Sequence, residues 1–393
     1  MTFTADSPFP DLAMAGQEQS VLLNLQRELD QSIPIGQKLN LIHDAIKRCS
    51  TTVHRIAVIL YDARTDMLST FIHSTVGQNP LLNYSVRLSE VASLHEIARH
   101  GAPRILNDLA EPSGGEGAHT RQLLKEGYRS SLTYPFYHND RIQGFLFFNS
   151  RHEGVFSGGL LDMLNVFSQV ISSLVIKETT LVRTMTAAVR TAQNISRNKN
   201  EETGAHLERM AHYSRLLASS LAGSHGLNDE FIEYVHLFAP MHDIGKVSIP
   251  DAILLKPGKL TTEEFSVIKS HSTVGRKIID NMVDEFALDG FPHIQMLRNI
   301  VELHHEAMDG SGYPRGLIGV DIPIEARICT VADVFDALTS CRPYKPAWDN
   351  AKSFSILRDM SEFKLDRDCV EALISNGEKI NEIQAIFCES KFG

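Results

Sequence analysis

The sequence predicts two unlike halves, an α+β module with an antiparallel sheet and then an all-α domain, joined by one long helix. Three observations carry this. Two pairs of short, largely apolar segments flank polar turns within the first 150 or so residues, the pattern of hairpins. A stretch without Pro or Gly, with helical apolar spacing, runs from Leu160 to Asn200. Beyond about Glu201 the strand signals vanish and amphipathic helical runs replace them. At 393 residues the chain can hold two domains with sizeable cores.

Taken in order, residues 1–18 carry Pro8 and Pro10 with few large apolar side chains, and read as a flexible N-terminus. Residues 19–175 read as the α+β domain. Leu22, Leu25 and Leu29, then Leu39, Ile42 and Ile46, fit helix interrupted near Pro34-Ile35-Gly36. Ile56–Tyr61 and Met67–His73 flank the turn Asp62–Asp66, and Ser131–Tyr137 and Ile142–Asn149 flank His138–Arg141. The stretch between the pairs, with Gly114-Gly115, reads as loop. Over 160–200, Phe167, Ile171, Leu174, Leu181, Met185, Ala188, Ala192 and Ile195 recur in alternating steps of four and three, with Glu178 occupying the seam position between Leu174 and Leu181. That 3.5-residue repeat predicts a parallel two-helix seam, hence a homodimer through a connecting helix, although one amphipathic helix packing on its own chain gives a similar pattern. Residues 201–393 read as the all-α domain.

Composition narrows the function. Lys and Arg number 38 against 48 Asp and Glu, a net charge of −10, which argues against a general DNA- or RNA-binding role. Five scattered cysteines without CxxC spacing imply reduced thiols and no cysteine zinc site. There is no signal-peptide pattern at the start and no run of about 18 apolar residues, so the expectation is a cytoplasmic protein without membrane insertion.

The chemistry is concentrated in the second half. Of 17 histidines, nine lie between His206 and His305. Glu202 and His206, four apart, share a helix face. His242-Asp243 and His304-His305 are adjacent pairs, and His271 and Asp333 add two more donors. Neutral imidazole and carboxylate are ligands for Fe, Mn, Zn or Ni, and a carboxylate has two oxygens with which to span two ions. Paired metals suit in-line attack on a phosphodiester. A single helical His is most often inert; the joint occurrence of these groups is the signal.

Residues from about 198 to 375 resemble the HD-GYP family of metal-dependent phosphohydrolases. The resemblance rests on Glu202-Thr203-Gly204-Ala205-His206, His242-Asp243-Ile244-Gly245-Lys246, His271, and His304-His305-Glu306 continuing through Asp309-Gly310-Ser311-Gly312-Tyr313-Pro314. Ala332-Asp333 through Thr339 and Arg342-Pro343-Tyr344-Lys345 complete it. It implies hydrolysis of a cyclic dinucleotide, chiefly cyclic di-GMP, by metal-activated water, giving linear pGpG, GMP or both. It implies that Glu202, His206, His242, Asp243, His271, His304, His305 and Asp333 ligate metal, with Asp243 bridging. Glu at the first position resembles the three-metal branch, so two or three divalent ions, iron or manganese, are implied, with three favoured. Lys246 sits at the family's position for a lysine beside metals and phosphate. Tyr313, Arg342 and Lys345 resemble substrate contacts, while Gly310, Gly312 and Pro314 would shape a tight loop that presents Tyr313. Asp309 and Glu306 are assigned only as partners of a ligating His.

Three alternatives stay open: preference for 3′,3′-cyclic GMP-AMP, a non-catalytic receptor or scaffold that binds the cyclic dinucleotide, or a diguanylate-cyclase (GGDEF) partner through the GYP loop, without turnover, and a hydrolase of mononucleotides. The N-terminal module resembles a GAF domain through Gln143–Phe148, Phe156-Ser157 and the helix from Leu160. That likeness implies a sensor; its histidines are isolated along the chain, and a platform without ligand is an equal reading.

Overall fold

The computed structural model describes residues 25–111, 117–196, 204–341 and 347–388. The expected flexible stretch 1–18, Gly114-Gly115, Glu202, Arg342 and Lys345 lie outside the described residues, as do the side chains of Ala192 and Ile195.

Two compact units account for the chain. The first comprises residues 1–59, 72–81 and 92–174, and the second 60–71, 82–91 and 175–393. Six strands, β1 (Arg55–Asp62), β2 (Met67–Thr75), β3 (Ser85–Arg87), β4 (Arg104–Leu106), β5 (Ser130–His138) and β6 (Arg141–Ser150), form one sheet in the order β3-β2-β1-β6-β5-β4. The β2/β3, β4/β5 and β5/β6 pairs are antiparallel. Both expected hairpins are present, each strand extending one or two residues past its expected end. The stretch taken as loop instead contains β3, β4 and two short helices, Ala92–His100 and Ala118–Lys125. Each helix has few apolar positions, and Leu94 and Ile97 alone supply the buried residues of Ala92–His100.

Burial explains the strands. Ile56, Phe71, Leu132, Phe145, Leu146 and Phe148 are all essentially inaccessible. Ladder spacing brings β6 so close to β1 that a Cβ on Gly144 would lie 2.0 Å from the Ile59 carbonyl oxygen. His43 sits in this unit as a satisfied core residue, its Nδ1 2.8 Å from Ser74 Oγ and its Nε2 3.0 Å from the Val53 carbonyl.

Helix Gly158–Ser196 runs 39 residues. Among the described residues its buried side chains are Leu164, Phe167, Ser168, Ile171, Val175, Thr179, Val182, Met185 and Val189. Within a single chain Leu174 and Leu181 are only half-buried and Ala188 is exposed. The stripe covered by the protein itself is therefore offset from the expected seam, and Phe167, Ile171 and Met185 are already buried without a second chain. By length and composition Gly158–Val189 could cross a bilayer, contrary to the expectation of no such helix, with 28% of its window buried. Glu178 within it accepts a hydrogen bond from the buried Tyr234 hydroxyl at 2.8 Å.

Helices make up the rest of the second unit. Asn228 caps Asp229–Phe238 through the Phe231 N–H, and Thr261 with Glu264 forms a capping box on Thr262–Glu285. Tyr213, Leu217, Phe238, Ile300, Val301, Ile328, Val331 and Phe335 form the inaccessible interior behind the histidine-bearing elements.

The β1–β6 approach yields a test. Gly144→Ala must push a methyl group into the Ile59 carbonyl, and overpacking of this kind costs about 1–3 kcal/mol. Urea unfolding should show that loss, whereas Gly154→Ala, where a Cβ meets nothing within 4 Å, costs only the strain of its positive φ.

Candidate metal centre

The donors come from five elements of the second unit. His206 lies in the first turn of helix Gly204–His225, and His242-Asp243 between two short 3₁₀ turns, Ala239–Met241 and Ile244–Ser248. His271 is in the middle of Thr262–Glu285, His304-His305 follow Ile294–Leu303, and Asp333 is on Ile324–Thr339. Gly245 makes the close packing possible. A Cβ there would lie 1.8 Å from the His271 carbonyl oxygen, so only glycine lets the His-Asp turn rest on the His271 helix.

The seven described donors fall into two groups. Asp243, His271, His304 and His305 present ligand atoms within 4.8 Å of one another, and so do His206, His242 and Asp333. Asp243 faces both. Its Oδ2 is 3.1 Å from His242 Nε2, while its Oδ1 is 3.2 Å from His271 Nε2 and 3.7 Å from His304 Nε2. His242 Nε2 is 4.0 Å from Asp333 Oδ1. Asp243 Oδ1 and His304 Nε2 are buried and form no hydrogen bond of good geometry, which is the condition expected of atoms reserved for cations.

The opposite ring nitrogens of three of these histidines rest on backbone carbonyls. Nδ1 of His242, His271 and His304 donates to the carbonyls of Ala239 at 2.8 Å, Ile268 at 2.7 Å and Ile300 at 2.9 Å. Donation from Nδ1 fixes the tautomer that leaves Nε2 with a lone pair directed into the centre. Burial pushes His304 and His305 down, with neighbouring imidazoles adding to the effect, so both are neutral bases near neutral pH. Burial alone would raise the Asp243 carboxyl, but Lys246 and His242 hold it well below the usual carboxylate range. Lys246 Nζ lies 2.5 Å from Asp243 Oδ2. Imidazole, carboxylate and no thiol is the donor set of a catalytic Fe, Mn or Zn site, so the residues present fit divalent ions.

His206 differs from the others, because its partner is a carboxylate the sequence reasoning passed over. Asp336 Oδ2 is 2.7 Å from His206 Nδ1, and Asp336 also accepts from Arg209 Nε at 2.6 Å and Nη2 at 3.0 Å. The available signal was spacing: Asp336 stands three residues beyond Asp333, on a neighbouring face of the same helix. Burial raises the Asp336 carboxyl, yet His206 and Arg209 outweigh it and bring it to about 2. Glu306 and Asp309, assigned as partners of a ligating His, do something else. Glu306 accepts the Arg315 and Leu317 backbone N–H groups at 2.6 and 2.9 Å, and Asp309 accepts the Ser311 N–H at 2.9 Å. They order the loop.

That loop departs from expectation in two details. Gly310 has φ +80°, but Gly312 does not have positive φ; a Cβ there would sit 2.3 Å from the Ala307 nitrogen, so it serves close approach. The Tyr313–Pro314 peptide is cis. Tyr313 is half-buried rather than fully presented, its ring 4.8 Å from that of His305. Buried Glu302, also passed over, pairs with Arg315 at 2.7 Å and Arg276 at 3.0 Å and anchors the loop's exit.

Residues 183–369 match the HD domain family model. The cyclic di-GMP phosphodiesterase response regulator RpfG of Xanthomonas campestris is 44% identical over 181 residues, covering 46% of this chain and 45% of that protein. A cyclic di-GMP phosphodiesterase of Vibrio cholerae is 38% identical over 224 residues, covering 56% and 45% respectively. The 3'3'-cGAMP-specific phosphodiesterase 2 of the same organism is 36% identical over 187 residues, covering 48% and 34%. The chain thus spans less than half the length of each of these curated relatives. Among solved structures, a GAF domain from Acinetobacter phosphoenolpyruvate-protein phosphotransferase covers 42% of this chain and 96% of its own, at 15% identity and a TM-score of 0.32.

The Asp336 network sets an acid limit. Its folded carboxyl is depressed from the usual 3.8 to about 2, so its contribution is complete above about pH 4 and is lost as pH falls through 2. The shift corresponds to roughly 2 kcal/mol. Asp336→Asn should lower stability at neutral pH and flatten the acid branch between about pH 4 and 2 in denaturant titrations.

Proposed function

Taking residues 183–369 as an HD domain, we propose that the chain is a metal-dependent phosphodiesterase acting on a cyclic dinucleotide, cyclic di-GMP first. The observation that carries this reading is the Asp243 carboxylate, whose two oxygens face two separate groups of imidazole and carboxylate donors. The names of the relatives support the substrate class, and two of the three name cyclic di-GMP. A third names 3'3'-cGAMP, which keeps the mixed dinucleotide as the second reading.

His206, His242 and Asp333 would hold one ion, and His271, His304 and His305 another, with Asp243 shared between them. Glu202 would add a donor for a third, iron or manganese in each case. Divalent ions held there supply Lewis acidity towards a phosphodiester and a nucleophilic water at neutral pH. The chain's own residues do the rest. Backbone carbonyls and Asp336 lock the imidazoles in place, so little reorganisation accompanies binding. Lys246, beside Asp243, would offset negative charge developing on phosphoryl oxygens. Tyr313, its ring tilted beside that of His305, would position the substrate, with Arg342 and Lys345 gripping phosphate or guanine.

The same proposal assigns residues 19–175 as a GAF-like sensor, which the six-stranded sheet and the following long helix support. It places the protein in the cytoplasm as a homodimer through Gly158–Ser196, with a GGDEF protein as a further partner of the GYP loop.

Two variants test the chemistry. Asp243→Ala should abolish hydrolysis of both cyclic dinucleotides, assayed by product chromatography with anaerobically purified, metal-analysed protein; activity within tenfold of wild type at matched metal loading would reject the assignment. Arg342→Ala should keep its metal and weaken nucleotide binding by about 1.5–3 kcal/mol, read by titration calorimetry.

Leu181, half-buried within one chain, tests the dimer. Leu181→Asp would place a charge in the seam and should shift the sedimenting mass towards monomer. An unchanged mass, or a monomeric wild type, means the helix serves its own chain alone.

A further inference from the structure

A second set of metal-ligating side chains lies in the second unit, built from residues that the centre above does not use. Asp62, His212 and His236 present one carboxylate oxygen and two imidazole nitrogens within 4.8 Å of one another. His212 Nε2 is 3.5 Å from Asp62 Oδ2, too far for a good hydrogen bond. The two imidazole rings lie 4.9 Å apart, and the His212 ring is stacked on Phe387 at 4.8 Å.

We propose that Asp62, His212 and His236 bind a divalent 3d metal ion, distinct in every ligand from the Asp243 centre.

The orphaned atom is the first argument. His236 Nδ1 is buried and has no hydrogen-bond partner, and His236 offers a ring nitrogen to the same group of donors as Asp62 and His212. A buried imidazole with a bare nitrogen, grouped with other donor atoms, is a posture expected of a metal ligand. A buried acceptor left unmatched is otherwise costly.

Pre-orientation is the second. Asp62 is not a mobile surface carboxylate: its Oδ1 accepts the Arg64 N–H at 3.0 Å and its Oδ2 the Thr65 hydroxyl at 2.8 Å. Both oxygens keep lone pairs for a cation. Burial lowers His212 to about 3 and His236 to about 4, so neither carries a proton that a metal would have to displace near neutral pH. Asp62 lies below its usual value: burial raises it, but the Arg64 N–H and the Thr65 hydroxyl hold it down.

The surrounding field is mixed. Arg215 and Arg183 oppose a cation at His236, and Arg215 is itself paired with Glu233 at 2.9 Å. Two imidazoles and one carboxylate select a 3d ion over Mg²⁺ or Ca²⁺, and three protein ligands leave coordination positions open. His212 and Thr65 also line a cavity of about 350 Å³, so the cluster borders open space through which an ion can enter.

The experiment is a Co²⁺ titration of the chelator-stripped full-length chain, followed by visible d–d absorption and by metal analysis after gel filtration. Wild type should bind one more equivalent than Asp62→Asn or His236→Gln, and each variant should lack the absorption band that this equivalent produces. Asp62→Asn preserves shape, so it reports on the ligand even if His236→Gln fails to fold, which circular dichroism would reveal. Equal stoichiometry and identical spectra for wild type and Asp62→Asn would overturn the proposal. The difference is read without turnover, so it stands or falls independently of the phosphodiesterase assignment.

Discussion

A carboxylate taken out of water must meet positive charge, and Asp243 is the place where the second unit confronts that requirement. It is 3% exposed and surrounded by imidazoles, of which burial pushes His304 and His305 down, with Lys246 as its adjoining cation. One ammonium on one oxygen leaves Oδ1 without a good hydrogen bond. Burial on those terms is costly unless cations complete the site. The elements around it are arranged to permit that completion: carbonyls aim the imidazoles, Gly245 lets the turn rest on the His271 helix, and Asp336 restrains His206 from behind.

The loop beyond His305 obeys the same logic with opposite signs. Buried Glu302 and Glu306 take up Arg276, Arg315 and two backbone N–H groups, so the acidic side chains there are consumed by structure and do not compete for cations. Carboxylates near the centre thus divide into two kinds. Asp243 and Asp333 face imidazole nitrogens; Glu302, Glu306 and Asp336 face guanidinium, N–H groups or a ring N–H.

That division explains what could be read from the sequence. The adjacent His242-Asp243 and His304-His305 pairs are visible because adjacency is a property of the chain, and so are the hairpins, whose alternation survives to within two residues. Asp336 escaped because its role depends on Arg209, 127 residues away, which no local pattern announces. Helices Ala92–His100 and Ala118–Lys125 escaped because few apolar residues suffice for an element so short. The long helix carries two overlapping patterns. Its buried residues step through Leu164, Phe167, Ile171, Val175 and Val182, close to the 3.6-residue period of a straight helix. A 3.5-residue repeat laid over the same residues coincides at Phe167, Ile171 and Met185 and drifts off between them.

Arg209 spends its guanidinium on two different parts of the fold. Nε and Nη2 fork onto Asp336, and Nη1 donates to the Phe387 carbonyl at 2.9 Å. Phe387 lies just beyond helix Gly377–Ile386, so the end of that helix and the rear support of His206 hang from one rigid plane. A planar fork transmits orientation, which a lysine on a rotating stem does not. Whatever pulls at the last helix therefore reaches an imidazole of the metal centre through two hydrogen-bonded steps, making the far end of the described chain a mechanical handle on ligand alignment.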